Sequence, residues 1–363
     1  MFIQIKMPKK VSSKKVSAKK VPKPQSSVVD ITTLTVPTKK QIFLRNRGEL
    51  GDKIFDLIYG IYLFKKYKGR CIITYVDYEY PHATSYAKGL PESKILFPKA
   101  IAKLNYMTPE QYETLQPILG VYAKVEVCFH TLAHIPTYTE LGYFTRICKR
   151  YQYTYDMFKT FTSKDRALFD LDTSLIHNKS IIKLKSQKYA VVFVSYGQHL
   201  SQSLSVNTGY DIFLTSTPQF YIDMIEMLLI KEKNLEIFVC TDTLPVVKKF
   251  IMPFVAEHKS VKLIDLKPVD AYYLMLHASY IIMSSYSICY SAAYLNKKKP
   301  ECHLALYRMP TSQNIHTHPN EYALKPDWIV HSKEKYILNY DRPLVEKMYN
   351  YCRTQPGGLC VFD

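Results

Sequence analysis

From Tyr189 onward the chain alternates short apolar, β-branched runs with longer amphipathic segments, and no other feature restricts its fold as strongly. The runs at 189–195, 235–240, 261–266, 280–284 and 303–307 have the length and composition of buried strands. Between them, 218–233, 244–258, 269–278 and 287–296 carry apolar residues at helical spacing, and a last helix is expected near 342–352. Strand, helix and strand joined by connections this short require parallel strands linked by right-handed crossovers, which is a doubly wound sheet.

The same alternation starts earlier, with strands expected at 41–45, 71–76 and 124–128 and a helix at 53–68. The stretch 78–188 is rich in tyrosine and has few sharp breaks; it is expected to complete the first half and supply the link. A chain of 363 residues exceeds what one core of ordinary size can organise, so two α/β domains are expected. The reading is a lysine-rich flexible tail at 1–40, an N-terminal Rossmann-like domain at 41–185, a C-terminal Rossmann-like domain at 186–335, and a closing helix and tail at 336–363.

The net charge of +18 suggests a nucleic-acid binder until it is located. Residues 1–40 hold ten lysines against Asp30 alone, so about half of the excess belongs to the tail. This segment repeats Lys-Lys-Val three times with Ser, Ala and Pro between, and it cannot bury enough apolar surface to offset its ordering entropy. Such an arm either contacts polyanions or an assembly through salt-sensitive phosphate contacts, or serves only as a solubilising extension.

The eight cysteines show no CxxC pair and no disulfide-framework spacing, which points to reduced, buried thiols in a cytoplasm-like compartment. Residues 1–7 are too short and too broken by Gln4 and Lys6 for the apolar run of a signal peptide, and no stretch reaches the ~18 apolar residues of a membrane span. A cytoplasmic protein is expected, so the acceptor sequence Asn178-Lys179-Ser180 should carry no glycan.

In open α/β sheets, ligands bind beyond the carboxyl ends of the strands, where helix N-termini present free N–H groups. Three segments occupy that position. RNRGELGDKIFDLIYG (45–60) places Gly48 and Gly51 between a strand and a helix, where glycine permits a tight turn and close approach to a ligand. FVCTDT (238–243) ends a strand in Thr241, Asp242 and Thr243, suited to helix capping or to a ribose hydroxyl. The run 269–296 leads through an apolar strand into a turn with Ser284, Ser285 and Ser287 ahead of another helix, an arrangement that receives phosphates or simply packs tightly.

In this order and spacing the three segments resemble the α-1,2-fucosyltransferases, family 11 of the glycosyltransferases. The family's opening glycine loop and helix is matched by Gly48, Leu50, Gly51, Asp52, Lys53, Phe55 and Gly60, with Asp52 and Lys53 replacing Asn and Gln. Its F-x-SDD-like strand end is matched by Phe238, Thr241, Asp242 and Thr243. Its D-L-x-x-M and NS-x-FSWWGA-x-LN run is matched loosely by Asp270, Tyr273, Leu274, Ser284, Ser285, Tyr286, Ser287, Ala292, Leu295 and Asn296. The match covers about 43–63 and 189–310.

The family's H-x-RR-x-D motif, whose arginine grips the donor pyrophosphate, is absent. Phe193 stands for its histidine, Ser195 and Tyr196 for its arginines and Gln198 for its aspartate, with Gly197 between them. A guanidinium clamps phosphate oxygens bidentately, whereas serine offers one neutral hydroxyl. Losing such a grip costs about 3–4 kcal/mol at the barrier of an electrostatically driven transfer. Arg45 and Arg47 beside the glycine loop, and His199 beyond the lost motif, are the candidates to replace it.

The resemblance implies a GT-B-like pair of Rossmann-like domains with a central cleft. It also implies an inverting, metal-independent transfer from a nucleoside-diphosphate sugar, GDP-fucose in the family, to a glycan or protein acceptor. The implied donor-binding residues are Gly48, Gly51, Ser195, Gly197, Asp242, Ser284, Ser285 and Ser287. Glu49, Asp52 and His199 are candidate bases by position. His130 and His134, and His316 and His318, lack the companions of a zinc site, so no metal is expected. The alternative is a catalytically inactive member of the fold with a structural or assembly role, such as a virion component. The lysine content and the 31 tyrosines are consistent with origin in a large DNA virus.

Overall fold

The computed structural model describes residues 40–46, 50–68, 70–78, 90–119, 125–129, 160–196, 200, 216–284, 286–305, 327–338 and 341–355. Contacts divide the chain between Pro37 and Thr38, and every described residue belongs to the unit Thr38–Asp363. The calls on Arg47, Gly48, Glu49, Gly197, Gln198, His199, Ser285, the tail and the histidines at 130, 134, 316 and 318 lie outside the described residues.

The first sheet has four parallel strands in the order β3-β2-β1-β4: β1 Lys40–Asn46, β2 Cys71–Asp77, β3 Asn105–Met107 and β4 Val125–Phe129. The second has six, all parallel, in the order β10-β9-β8-β5-β6-β7: β5 Tyr189–Val194, β6 Glu236–Thr241, β7 Val261–Leu263, β8 Tyr280–Met283, β9 Glu301–Ala305 and β10 Ile329–His331. Among the described residues, the α-helices of seven residues or more are α1 Leu50–Tyr67, α2 Pro109–Leu119, α3 Pro218–Lys231, α4 Leu244–Phe250, α5 Pro268–Leu276, α6 Ser287–Leu295 and α7 Arg342–Arg353. This is the doubly wound α/β architecture that the alternation requires.

Local chemistry accounts for the elements. All six residues of β5, YAVVFV, are buried, as expected of a strand covered on both faces. Thr217 caps α3 by accepting from the Phe220 N–H, and Pro218 at the first helical position loses no hydrogen bond there. On α1, Leu50, Ile54, Leu57, Ile58 and Ile61 form the buried stripe, and Gly60 lets the helix approach Leu44 and Leu104; a Cβ there would lie 2.8 Å from Leu104 Cδ1.

Three expectations need adjustment. The helix expected over 244–258 is interrupted at Ile251, because Pro253 has no N–H to donate, and it resumes only as the turn Met252–Val255. The strand expected at 261–266 pairs only over Val261–Leu263. Strands β3 and β10 and helix α2 extend the expected set. Both strands are three residues long, too short to show alternation, whereas α2 begins with a legible signal, the backbone N–H groups of Thr108 and Gln111 each donating to the other's side-chain oxygen.

The two sheets are not separated by solvent throughout. One contiguous apolar cluster runs from Ile42 and Tyr75 of the first sheet through Phe97 and Phe169 to Tyr272 of α5 and the whole of β5. Phe97 meets Tyr272 edge to face with ring centroids 6.1 Å apart. Asp270 on α5 accepts from the backbone N–H groups of His177 (2.8 Å) and Asn178 (3.1 Å), pinning the link segment to the second half.

Candidate functional site

Both sheets begin with a strand, add two neighbours on one side, then reverse to the other. In the second sheet the reversal falls between β5 and β8, and in the first between β1 and β4. At such a switch point the connections leave in opposite directions, and their carboxyl ends open a crevice for a ligand. The residues after β5 are Ser195–Tyr196 and those after β8 include Ser284 and, at the start of α6, Ser287, so the marked run 269–296 lies at this switch point, while the marked run 238–243 ends β6 on the other side of β5.

The third segment arrives from the first sheet. A Cβ added at Gly51 would lie 2.2 Å from Ile288 N and 2.4 Å from both the carbonyl carbon and Oγ of Ser287. The first turn of α1 therefore touches the first turn of α6, and only glycine allows it. This contact brings Gly51 and Ser287 together and also leaves no room for a ligand between them. Any ligand must lie beside the contact, toward the strand ends.

Asp242, at the end of β6, is held by neutral donors. Ser195 Oγ donates to its Oδ2 at 2.6 Å, and the Tyr196 N–H (3.1 Å) and Thr243 Oγ1 (2.7 Å) donate to its Oδ1. Thr243 in turn donates its N–H to Thr241 Oγ1 at 2.8 Å and provides no side-chain cap for α4. Asp242 thus clasps the ends of β5 and β6. Ser195 is buried, with its hydroxyl committed to this clasp, and Tyr196 is fully buried with its ring edge-on to Tyr221. Burial, then Tyr221 and Asp242, raise the Tyr196 phenol well above its ordinary value, so it stays protonated.

Ser284 is buried and turned toward the Cys289 thiol, Oγ to Sγ 3.5 Å. Ser287 is partly exposed at the start of α6, whose preceding residue Tyr286 makes no side-chain cap. Asp52 is partly exposed in the first turn of α1.

Two features escaped the sequence reading. Phe193 stacks on Tyr286 across the switch point, ring centroids 5.9 Å apart and planes 10° from parallel, so an aromatic pair occupies the position of the missing histidine. In the first half, Lys53 Nζ donates to Asp77 Oδ1 at 2.7 Å, and the Ser93 N–H donates to Asp77 Oδ2 at 2.6 Å, all buried. The available signal was an aspartate closing an apolar strand, CIITYVD, as Asp242 does one residue after EIFVCT, together with a lysine on the apolar stripe of α1.

Among the described residues no three His, Cys, Asp or Glu side chains converge to hold a metal ion, and no helix is long and apolar enough to cross a membrane. Cys71, Cys240, Cys289, Cys302 and Cys352 are free thiols.

No protein-family model matches the sequence, and no curated protein matches it. Among solved structures the chain is similar to the ADP-heptose lipopolysaccharide heptosyltransferase II of E. coli (10% identity, 86% of this chain and 98% of that one, TM-score 0.42). It is also similar to POFUT1 in complex with GDP (9%, 74% and 98%, TM-score 0.40) and to the fucosyltransferase NodZ from Bradyrhizobium (12%, 70% and 92%, TM-score 0.37). At TM-scores below 0.5 these likenesses carry no argument, and the fold rests on the strand order and register above.

Proposed function

We propose that this chain binds a nucleoside-diphosphate sugar beside the β5/β8 switch point and is a glycosyltransferase-like protein, fucosyltransferase-like and inverting in its transfer. The observation that carries the reading is the convergence of a switch point, the N-terminal turn of α6 and the glycine turn of α1 at one place. Free N–H groups at a helix start favour phosphate, and the strand order is the one that receives nucleotides.

The carboxylate of Asp242 refines the placement. It brings negative charge to the β5/β6 end, and the donors it accepts from among the described residues are neutral, so the diphosphate belongs on the α6 side near Ser287, with Ser285 the further candidate there. Ser195, Asp242 and Ser284 then shape the wall, while Gly51 fixes the approach of the first half. Gly48 and Gly197 are the remaining donor-binding candidates. Asp52 is the candidate base within the described residues, with Glu49 and His199 as the other two.

A thermal-shift panel of GDP-, UDP- and dTDP-sugars, GDP-fucose included, tests this. A binding donor at 100 times its dissociation constant adds ~2.7 kcal/mol of stability. Flat responses across the panel would remove the reading.

A second reading is favoured by one observation: the end of β5 presents a buried serine and tyrosine locked onto a carboxylate where the family places its cationic grip. In that reading the fold is kept for assembly, and the basic arm contacts a polyanion. Retention on a polyanion column that falls with salt and vanishes on deleting residues 1–40, together with no donor response, supports it.

A further inference from the structure

His303 lies in the middle of β9 and is 2% exposed. Its two ring nitrogens are both engaged: Nε2 is 2.9 Å from Glu301 Oε1, and Nδ1 is 3.1 Å from Nε2 of His331 on β10. The two ring centroids are 5.4 Å apart and the planes are inclined by 25°, so the imidazoles meet edge to edge along an N–H···N line.

The protonation pattern follows from the partners. Lys231 on α3 donates to both oxygens of Glu301, at 2.8 and 2.6 Å. Burial pushes the Glu301 carboxyl up, but Lys231 and His303 outweigh it and hold it below its ordinary value. An ionised Glu301 only accepts, so His303 carries its proton on Nε2 and its Nδ1 lone pair accepts from His331 Nε2–H. Both rings are then neutral. One added proton can be absorbed if His331 moves its own proton to Nδ1. A second cannot, because two N–H groups would face each other.

Among the described residues, the other charged or titratable groups around the pair are few. His331 packs against Phe220 of α3 and Tyr336, and it feels Lys333. Lys335 and the Tyr336 hydroxyl both donate to Asp223 of α3, each at 2.8 Å, which neutralises that carboxylate. Burial lowers the pKa of His303 despite Glu301, and burial, His303 and Lys333 lower that of His331. The strand involved is slight: β10 has three residues and, among the described residues, lies at the sheet edge and pairs only with β9.

We propose that His303 and His331 form an acid-sensitive latch that fastens edge strand β10 to β9 while both rings are neutral and releases it when the pair takes up a second proton. The sign is set by linkage. Groups that are neutral when docked and protonated when open give a strand fully held above the ordinary histidine value of about 6.5. The hold weakens as pH falls through that value and levels off only below the depressed folded values.

Amide hydrogen exchange of the full chain, corrected for intrinsic rates, tests the latch. Protection of residues 329–331 should fall about tenfold or more between pH 7 and pH 5, faster than that of β5 and β6. His331→Phe, which fits beside Phe220 and Tyr336 and takes up no proton, should keep β10 protected at pH 7 and flatten the profile. If that variant loses β10 altogether, His303→Gln, which still donates to Glu301, carries the same comparison. Nitrogen-15 shifts of the two rings should report neutral Nε2–H tautomers at pH 7. A pH-independent β10, an equally steep profile in the variants, or imidazolium rings at pH 7 would each overturn the proposal.

Discussion

Asp77 and Asp242 close the second strand of their respective halves, at corresponding places in two similar strand orders, yet they meet opposite environments. Asp77 is buried against Lys53 and the Ser93 N–H, so its charge is cancelled inside the first half. Asp242 is part-buried and, among the described residues, receives only neutral donors, so its charge is left uncancelled by them at the edge of the second half. A strand-end carboxylate is therefore not one feature with one use. Where a cation is provided it becomes interior structure, and where none is provided it sets the electrostatics of whatever approaches the strand ends.

The most damaging way to break the contrast is Asp77→Ala. It leaves the Lys53 ammonium buried without its partner, and chemical denaturation should show a loss of about 3–5 kcal/mol. The double variant Lys53→Met, Asp77→Leu should recover most of that stability, because two apolar groups replace the pair without leaving a charge. Gly51→Ala comes next. Its Cβ would press on the backbone of Ser287 and Ile288, which cannot yield as a flexible side chain does, so a loss of about 1–3 kcal/mol is expected in the same measurement. A negligible loss would show that the first turn of α1 does not press on that of α6.

Asp242→Asn should have the smallest effect on stability, about 1 kcal/mol, because the amide oxygen still accepts while the nitrogen cannot. Its value lies in binding. In the proposed placement, removing the carboxylate should tighten a nucleoside diphosphate by roughly 0.5–1 kcal/mol, less at high salt. A clear weakening in a thermal-shift titration would instead make Asp242 a direct ligand of the nucleotide, for instance of a ribose hydroxyl.

Much of the framework was legible because it depends on local pattern. The runs that became β1, β2, β5, β6 and β8, and the helices α1, α3, α5, α6 and α7, were delimited within a few residues from apolar periodicity and, for α6, from the small residues ahead of it. Strands β3 and β10 were not, since three residues carry no period and their pairing is decided by the neighbour. The clasp of Ser195, Tyr196 and Thr243 on Asp242 was half visible: the residues were marked, but the sequence left open whether they faced a ligand or each other. Lys53 and Asp77 each left a local signal, a lysine on an apolar helix face and an aspartate closing an apolar strand, but nothing in either segment joins them across 24 residues.

By itself the sequence determined a parallel, doubly wound architecture and the turns that lie at strand ends, because hydrophobic period and connection length act over a few residues at a time. Tertiary structure alone decided that Gly51 meets Ser287, that one terminal carboxylate is neutralised and the other is not, and that two histidines 28 positions apart share a hydrogen bond. Those outcomes depend on how crossovers bring distant strand ends within a few ångströms, and at that range charge and shape are set by the partner as much as by the residue.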